Sequence, residues 1–290
     1  MDGMYPNNFD DFNENVYREG HFESWNDKFG KNFTDNFSEV HKQQMIAKNI
    51  ETGGGYQAAI SGLYGEFTIA AVFKSLTDEY HVMNDILLQQ GTWLRPYHPE
   101  KYGPSPWKLI KKKNRVYEVV HKSTQVDHLI VSPYGIFVIE TKNHKGWVFG
   151  DVNGKVWTQV LNGENGWRAY GGHAHYTFYN PVTQNQGHIE NLSKQLGIPQ
   201  NCMTGMIVFT NPDAFLGNVN CNCCFTLDML YDAILSYQRP IWNQKQTIQV
   251  IQAIEKLNSS SYLKSKEHEI YVKDLQRRKE INRMIAKGIR

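Results

Sequence analysis

One segment, QVDHLIVSPYGIFVIETK, limits the fold of this 290-residue chain more than any other feature. It contains two apolar runs, at 125–132 and 136–142, which are separated by Pro133-Tyr134-Gly135. Short apolar runs rich in β-branched residues and bounded by turn residues indicate strands. We therefore predict that the two runs are antiparallel strands of one sheet, joined by a tight turn.

The turn sets the register of this pair, and the register brings three charged side chains together. Ser132 is expected to lie opposite Gly135. Counting outward from that pair places Asp127 directly opposite Glu140, so the two share one face with Cβ atoms ~5 Å apart. Lys142 is two residues beyond Glu140 and projects from the same face. The sequence thus predicts two carboxylates and an ammonium group at the end of apolar strands.

Charges among apolar neighbours need a compensating partner, because burying an unpaired charge costs free energy. A divalent cation compensates two carboxylates, and hard oxygen ligands suit Mg²⁺ or Mn²⁺. A bound metal ion stabilises charge on a phosphoryl group under attack, while a neighbouring lysine positions or deprotonates the attacking water. The simpler alternative is an ion pair at a strand end, since Glu-x-Lys matches often arise by accident.

The rest of the chain predicts an α/β fold, with a small mixed β-sheet flanked by helices. Asn180-Pro181 starts a helix, because Asn caps a helix and Pro suits its first turn. Pattern and turn signals give the following elements besides the strand pair: helix 63–76, strand 80–88, one or two short strands within 145–179 that include 155–161, helix 180–197, strand 205–210, strand 219–225, and C-terminal helices of which the last begins near Lys264.

We divide the chain into three parts. Residues 1–55 form a polar N-terminal arm, residues 56–240 the α/β domain, and residues 241–290 a helical, basic C-terminal extension. Aromatic residues at 22, 25, 29, 33 and 37 give the arm a weak helical stripe, although a disordered tail is an equally valid interpretation. The arm and the C-terminal helices are both candidate surfaces for a homo-oligomer.

The stretch 91–123 is a polar, basic insertion between the first two strands of the α/β domain. The net charge of the chain is only +2, but five of the eight positions 108–115 are basic, namely Lys108, Lys111, Lys112, Lys113 and Arg115. Basic clusters favour polyanions, because binding releases counterions. We predict that these five side chains contact a nucleic-acid backbone; a solvated charged surface is the alternative.

Beyond these local patterns, the chain resembles the nuclease-related domain (NERD) family, a branch of the PD-(D/E)xK nuclease superfamily. The resemblance covers about 62–210 and rests on motifs in matching order: Gly65-Glu66, Gln125-Val-Asp-His128, Gly135-Ile-Phe-Val-Ile-Glu-Thr-Lys-Asn143 with Gly146, Trp157, and Asn180-Pro-Val-Thr-Gln184 with His188. The resemblance implies a restriction-endonuclease-like core and a metal-dependent nuclease activity.

The resemblance also implies roles for individual residues. Asp127 and Glu140 would bind Mg²⁺ or Mn²⁺, with the backbone carbonyl of Thr141 as a third ligand. Lys142 would act on the attacking water or on the scissile phosphate. Glu66, on the first helix, would be an outer carboxylate that acts on the metal through water or on the water itself.

Three further residues have expected positions. Gln184 would face the catalytic cleft, and His188 shares its side of the helix because the two are four residues apart. Two roles stay open for His188, a nucleic-acid contact and simple packing. His128 alternates to the face opposite Asp127, so we expect it to be structural.

These observations favour a metal-dependent nuclease that hydrolyses phosphodiester bonds. The leading interpretation is a DNA endonuclease in bacterial or phage-related DNA processing or defence. The competing interpretation is a non-cleaving nucleic-acid-binding module, or an oligomeric assembly module, on the same fold.

The sequence also bears on location. It has no run of about 18 apolar residues and no secretory signal, so we expect a cytoplasmic protein without a membrane partner. Its four cysteines, Cys202, Cys221, Cys223 and Cys224, look unpaired, which fits a reducing cytosol. Cys221 and Cys224 have a C-x₂-C spacing, but the chain has no second pair of cysteines at that spacing, so a zinc site is not expected.

Overall fold

The computed structural model describes residues 69, 72–162, 173–258 and 261–288. The strands are β1 (His81–Pro96), β2 (Lys108–Lys112), β3 (Arg115–Ser132), β4 (Gly135–Lys142), β5 (Gly146–Asp151), β6 (Val156–Asn162), β7 (His173–Tyr179), β8 (Met203–Phe209), β9 (Ala214–Asn220) and β10 (Cys224–Thr226). The helices are α1 (Pro99–Tyr102), α2 (Pro181–Leu196), α3 (Leu227–Leu235), α4 (Gln244–Asn258) and α5 (Ser261–Ala286), with a 3₁₀ turn at Gln200–Cys202. Residues 72–74 are helical, as predicted, but most of the predicted helix 63–76 and the whole N-terminal arm lie outside the described residues.

The main sheet is mixed, as the sequence predicts. Its strand order is β1-β3-β4-β8-β10, with β2 beside the first part of β3. The pairs β1–β3 and β3–β4 are antiparallel, whereas β4–β8 and β8–β10 are parallel. One face packs against α2 and α4 through residues such as Val138 and Leu192, and the other packs against α3 through Phe137 and Leu230. Because helices cover both faces, β4 is apolar without alternation.

A second sheet, which the sequence does not predict, has the order β7-β6-β5-β9. The described part of 145–179 holds three strands instead of one or two, and the predicted strand 219–225 is divided between β9 and β10, which belong to different sheets. Trp157 is 1% exposed and stacks on Phe209 of β8, so the two sheets share a core. A Cβ on Gly150 would lie 2.1 Å from the Trp157 ring, so only glycine fits there.

The stretch 91–123, predicted from the sequence as a polar, basic insertion, is mostly a continuation of two strands in the structure. β1 has 16 residues and β3 has 18, and they remain paired from His81↔Val131 to Pro96↔Tyr117 across one irregularity near Gly91. A tight turn, in which Lys113 has a φ of 54°, joins β2 to β3, and β2 pairs antiparallel with the first five residues of β3. We call residues 91–122 the ribbon.

Helix α2 begins and ends where the sequence predicts. The Asn180 side chain caps it by accepting hydrogen bonds from the backbone N–H groups of Val182 and Thr183, at 2.9 and 3.3 Å. Pro181 occupies the first turn, and Gly197 ends the helix in the left-handed region with a φ of 67°. These local signals fix the position of α2, whose first two turns lie above the end of β4.

A buried ionic cluster attaches α5 to the ribbon. Glu118 is fully buried and accepts hydrogen bonds from Arg95 and Arg278. Asp274, which is 3% exposed, accepts hydrogen bonds from the same two guanidinium groups and from the indole N–H of Trp107. The guanidinium group of Arg277, which is more exposed, also donates to Asp274, so two buried carboxylates face three guanidinium groups. The ribbon and the C-terminal helix, which the sequence suggests are separate parts of the chain, pack together through this cluster.

Candidate active site

The site begins where β3 and β4 separate. Their ladder runs from Ser132↔Gly135 to His128↔Ile139, which confirms the register predicted from the turn. The next position holds the side chain of Asp127, whose Oδ2 accepts hydrogen bonds from the backbone N–H and the hydroxyl of Thr141, at 2.9 and 2.8 Å. The carboxylate therefore satisfies a strand N–H that the ladder no longer pairs.

Asp127 also interrupts the ladder on its other side. The pairs Asn84↔His128 and Ile86↔Val126 flank this point, and Asp85 between them has a φ of 55°. A positive φ is uncommon for a residue other than glycine, and such residues concentrate at functional sites. Met83 and Ile86, three residues apart, pack into the same core, so the strand reverses its faces here.

Glu140 is the centre of the site. It is 2% exposed, and its Oε1 accepts hydrogen bonds from the ammonium of Lys142 and from the amide of Gln184, the latter at 2.6 Å. Its Oε2 lies 3.2 Å from Nε2 of His188. Lys142 is also within 3.4 Å of the amide oxygen of Gln184. The structure therefore brings together the predicted residues Asp127, Glu140, Lys142 and Gln184, with Thr141 beside them.

Helix α2 supplies two of these contacts from one side. Gln184 and His188 are four residues apart and both reach Glu140. His188 is 3% exposed, and its Nδ1 lies 3.0 Å from the hydroxyl of Thr124 on β3. His188 is thus buried behind Glu140, a position that favours packing over a nucleic-acid contact, the two roles left open by the sequence.

The two carboxylates have opposite pKa shifts. Burial, followed by the charge of Glu140, raises the pKa of Asp127 despite its hydrogen bonds from Thr141. Burial also acts to raise the pKa of Glu140, but the hydrogen bonds and charges of His188 and Lys142 together outweigh it and lower that pKa. The site therefore favours the ionised form of Glu140 and disfavours the ionised form of Asp127, which a nearby positive charge would stabilise.

The donor atoms fit a hard divalent cation. Among the described residues, the hydrogen bonds to Asp127 use Oδ2, which leaves Oδ1 available. Glu140 can contribute an oxygen if the Lys142 ammonium moves from Oε1, and Thr141, whose carbonyl is the third candidate ligand, directly follows Glu140 in the chain. A cation beside Asp127 would favour its ionised form and so offset the effect of burial on its pKa. Carboxylate and carbonyl oxygens are the ligands that Mg²⁺ and Mn²⁺ prefer.

His128 has the structural position that its alternation predicts. It is buried, its Nδ1 lies 2.8 Å from the amide oxygen of Asn84, and its ring makes an edge contact with Phe73. Burial lowers the pKa of His128 to about 4, so the ring is neutral at pH 7.

His144 is a neighbour of the site that the sequence does not reveal. Its Nδ1 lies 3.1 Å from Oε1 of Gln159, and its ring packs 4.1 Å from the ring of Phe178. Burial, and then the charge of Lys142, lower the pKa of His144. The only available signal is its position two residues after Lys142, since Gln159 and Phe178 come from the second sheet.

The other predicted residues lie elsewhere. Glu66 is outside the described residues. The five basic residues of the ribbon are all exposed on β2, its turn and the start of β3, at the far end of β3 from Asp127. They are therefore available to a large ligand, but they do not line the site formed by Asp127, Glu140 and Lys142, which we call the carboxylate–lysine centre.

The cysteines depart from the unpaired arrangement that the sequence suggests. Cys221 and Cys223 form a disulfide, while Cys202 and Cys224 are free. Burial raises the pKa of Cys224 to about 12. The sulfur atoms of 221, 223 and 224 lie within 4.8 Å of one another, but in this form two of them are bonded to each other and are not thiolates.

The mixed sheets and their flanking helices are consistent with a nuclease-like α/β core. The chain belongs to the nuclease-related domain (NERD) family, whose model matches residues 61–210. That family is part of the PD-(D/E)xK-like nuclease superfamily, which confirms the resemblance drawn from the motifs. The matched family is described as a nuclease-related domain.

One relative is an uncharacterised protein of Bacillus anthracis. It is 28% identical over 119 residues, which cover 36% of this chain and 51% of that protein. The match thus spans about half the length of the relative. No solved structure matches the chain. In the part of the chain that the structure describes, none of the helices combines the length and the apolar character needed to cross a membrane.

Proposed function

We propose that this protein is a metal-dependent nuclease that hydrolyses phosphodiester bonds with Mg²⁺ or Mn²⁺, and that its substrate is DNA cleaved internally. The observation that supports this most directly is the convergence of Lys142 and Gln184 on buried Glu140, with Asp127 at the same strand ends. Two carboxylates with a lysine in reach provide both a cation site and a group that can act on water.

Each side chain has a part in this proposal. Asp127 and Glu140, with the carbonyl of Thr141, would hold the cation, which when bound lowers the pKa of its water and stabilises charge on the phosphoryl oxygens. Thr141 holds Oδ2 of Asp127, so that Oδ1 keeps one direction. Lys142 lies between Glu140 and Gln184, where its ammonium can hydrogen-bond to the attacking water or to a phosphate oxygen.

His188 and Gln184 would position this group of residues without touching the substrate at the reacting atoms. His188 Nε2, donating to Oε2, orients Glu140 so that Oε1 faces Lys142. Gln184 donates to Glu140 and can accept from Lys142, so it fixes the spacing of acid and base. Such supporting hydrogen bonds keep catalytic groups oriented.

The test is an incubation of plasmid, linear duplex and single-stranded DNA, and of RNA, with and without Mn²⁺ or Mg²⁺. Wild-type protein should nick or cut DNA only with the metal ion, and Asp127→Ala, Glu140→Ala and Lys142→Ala should each lose cleavage while keeping the wild-type circular dichroism spectrum. Metal-independent cleavage, or wild-type cleavage by any of the three variants, would refute the assignment.

One observation favours the alternative of a non-cleaving binding module. Both oxygens of Glu140 already have protein partners, so the centre is balanced as an ion pair without a cation. Titration with Mn²⁺ decides between the two functions. A binding-only module would show neither metal uptake that depends on Asp127 nor metal-dependent cleavage.

We further propose a role in bacterial or phage-related DNA processing or defence. Cells that express the wild-type protein or Glu140→Ala can be compared after phage challenge. A difference in phage yield would support defence, and equal yields would leave DNA processing as the role to examine.

A further inference from the structure

The ribbon carries its basic residues at a defined distance from the carboxylate–lysine centre. Arg115 and Asp127 lie on the same strand, β3, 12 residues apart. A strand rises about 3.3 Å per residue, so the two positions are separated by about 40 Å, or somewhat less where the strand twists. The site and the basic residues around the β2–β3 turn therefore lie far apart on one continuous strand.

The alternation of the ribbon shows which face the bases occupy. Leu109 pairs with Glu118, whose side chain faces α5, so the residues beside Leu109 and Glu118 in the chain point to the opposite face. Lys108 is paired with Val119, and Lys112 with Arg115, on that opposite face. All three basic side chains are exposed. The face that α5 leaves uncovered therefore carries at least three positive charges.

The ribbon is also held rigidly, which a fixed distance requires. Glu118 and Asp274 join both strands of the ribbon to α5 through Arg95 and Arg278. Arg277 of the same helix donates a hydrogen bond to the carbonyl of Tyr102 in the segment that links β1 to β2. An isolated hairpin is only marginally stable, whereas this ribbon has β1, β2 and β3 and is attached to α5 on one side.

We propose that the ribbon is a fixed-length arm that binds the phosphate backbone of duplex DNA about one helical turn from the bond that the carboxylate–lysine centre cleaves. This rests on the proposed nuclease function and adds the form and minimum length of the substrate. One turn of B-form DNA is about 34–36 Å long, close to the separation along β3. After one turn the same strand presents its phosphates on the same side again, so a straight arm reaches both points. A flexible single strand holds no such spacing.

The experiment measures binding as a function of duplex length. The Asp127→Ala protein is mixed with labelled duplexes of about 8, 12, 16 and 24 bp, lengths chosen around one helical turn. Affinity should rise about tenfold as the duplex passes one turn and then level off, because the longer duplexes reach the charges at the tip. Single-stranded DNA of the same lengths should show no step. Wild-type protein in chelator provides a second background in which nothing is cleaved.

Two matched double substitutions locate the effect. Lys112→Gln with Arg115→Gln should remove the step in affinity and reduce the salt dependence of log K by about 2, since each lost phosphate contact contributes about 0.9. Lys194→Gln with Lys245→Gln removes the same charge from exposed positions on α2 and α4 and should keep the step. A step that survives in the ribbon variant, or disappears equally in the control, would overturn the proposal.

The experiments distinguish an error in the proposal for the ribbon from an error in the proposed nuclease function. If wild-type protein cleaves 8-bp and 24-bp duplexes at equal rates with Mn²⁺, then the nuclease function stands and the proposal for the ribbon is wrong. If no substrate is cleaved but the step in affinity remains and depends on Lys112 and Arg115, then the ribbon is a DNA-binding surface and the proposed nuclease function is wrong.

Discussion

Replacing Glu118 with glutamine tests how the ribbon is held. The substitution keeps the size of the side chain and removes one negative charge from a cluster in which Glu118 and Asp274 face the guanidinium groups of Arg95 and Arg278, with Arg277 also donating to Asp274. Asp274 would then be the remaining acid beside Arg95 and Arg278, and the buried cluster would carry an excess positive charge. Removing one partner of a buried ion pair typically costs about 3–5 kcal/mol.

The structure places this cost near the lower end of that range. Glu118 itself is 0% exposed, but the side chains of Arg95 and Arg278 retain 12% and 10% exposure. Water can therefore solvate part of the excess charge, and glutamine can still accept hydrogen bonds through its amide oxygen. We expect the free energy of unfolding to fall by about 3 kcal/mol.

Urea unfolding at pH 7 measures this cost, with two controls. Glu269→Gln removes an acid from an exposed pair with Lys273 on the same helix and should change stability by less than about 1 kcal/mol. Combining Glu118→Gln with Arg278→Met restores the charge balance, so the double variant should be more stable than the sum of the single effects predicts by about 1–3 kcal/mol. Equal costs for Glu118→Gln and Glu269→Gln, or strictly additive effects in the double variant, would refute the reasoning.

Three further changes have expected outcomes. Gly150→Ala should destabilise the second sheet by about 1–3 kcal/mol, because its methyl group meets the Trp157 ring, and Trp157 fluorescence on thermal unfolding would report it; an unchanged midpoint would contradict the contact. Burial lowers the pKa of His128 to about 4, so between about pH 6.5 and pH 4 the unfolded chain binds a proton that the folded protein does not bind. The contribution of His128 to stability is therefore fully present above about pH 6.5, and the free energy of unfolding falls by up to about 3 kcal/mol as the pH decreases to 4. In His128→Gln the urea midpoint should lose less on acidification, and an identical pH slope would count against this origin. His188→Ala removes a contact that lowers the pKa of Glu140, so the acidic limb of the kcat/KM profile should move to higher pH; an unmoved limb would show that His188 does not act on Glu140.

Local signals were sufficient for the two elements that position the site. The Pro133-Tyr134-Gly135 turn set the register of β3 and β4, because a tight turn leaves few ways to align the strands that it joins. Asn180 and Gly197 set the bounds of α2, since capping depends on residues within one turn of the helix end. Gln184 and His188 then reach the site from one helix face.

The ribbon could not be recognised in the same way. Its residues are polar and basic, a composition that suits an exposed loop as well as strands that are covered on one face only. The partners that bury Glu118 and Arg95 lie at 274 and 278, and Arg278 is 160 residues from Glu118. No local pattern carries information about a contact at that separation.

The second sheet shows a similar limit. Glycine and asparagine in 145–179 indicate loops by composition, yet Gly150 is needed because the Trp157 ring lies directly against it. The same sheet brings Gln159 and Phe178 to His144, a contact that the order of residues does not show.

The sequence alone therefore determined the mixed α/β class, the family and the register of β3 against β4, because each depends on turns, caps and motifs of a few residues. The tertiary structure decided what surrounds those acids and how far the basic residues lie from them. It buried His188 behind Glu140, attached the ribbon to α5 and gave the two carboxylates opposite pKa shifts. Burial and long-range pairing set these properties, and both exist only once distant segments have packed together.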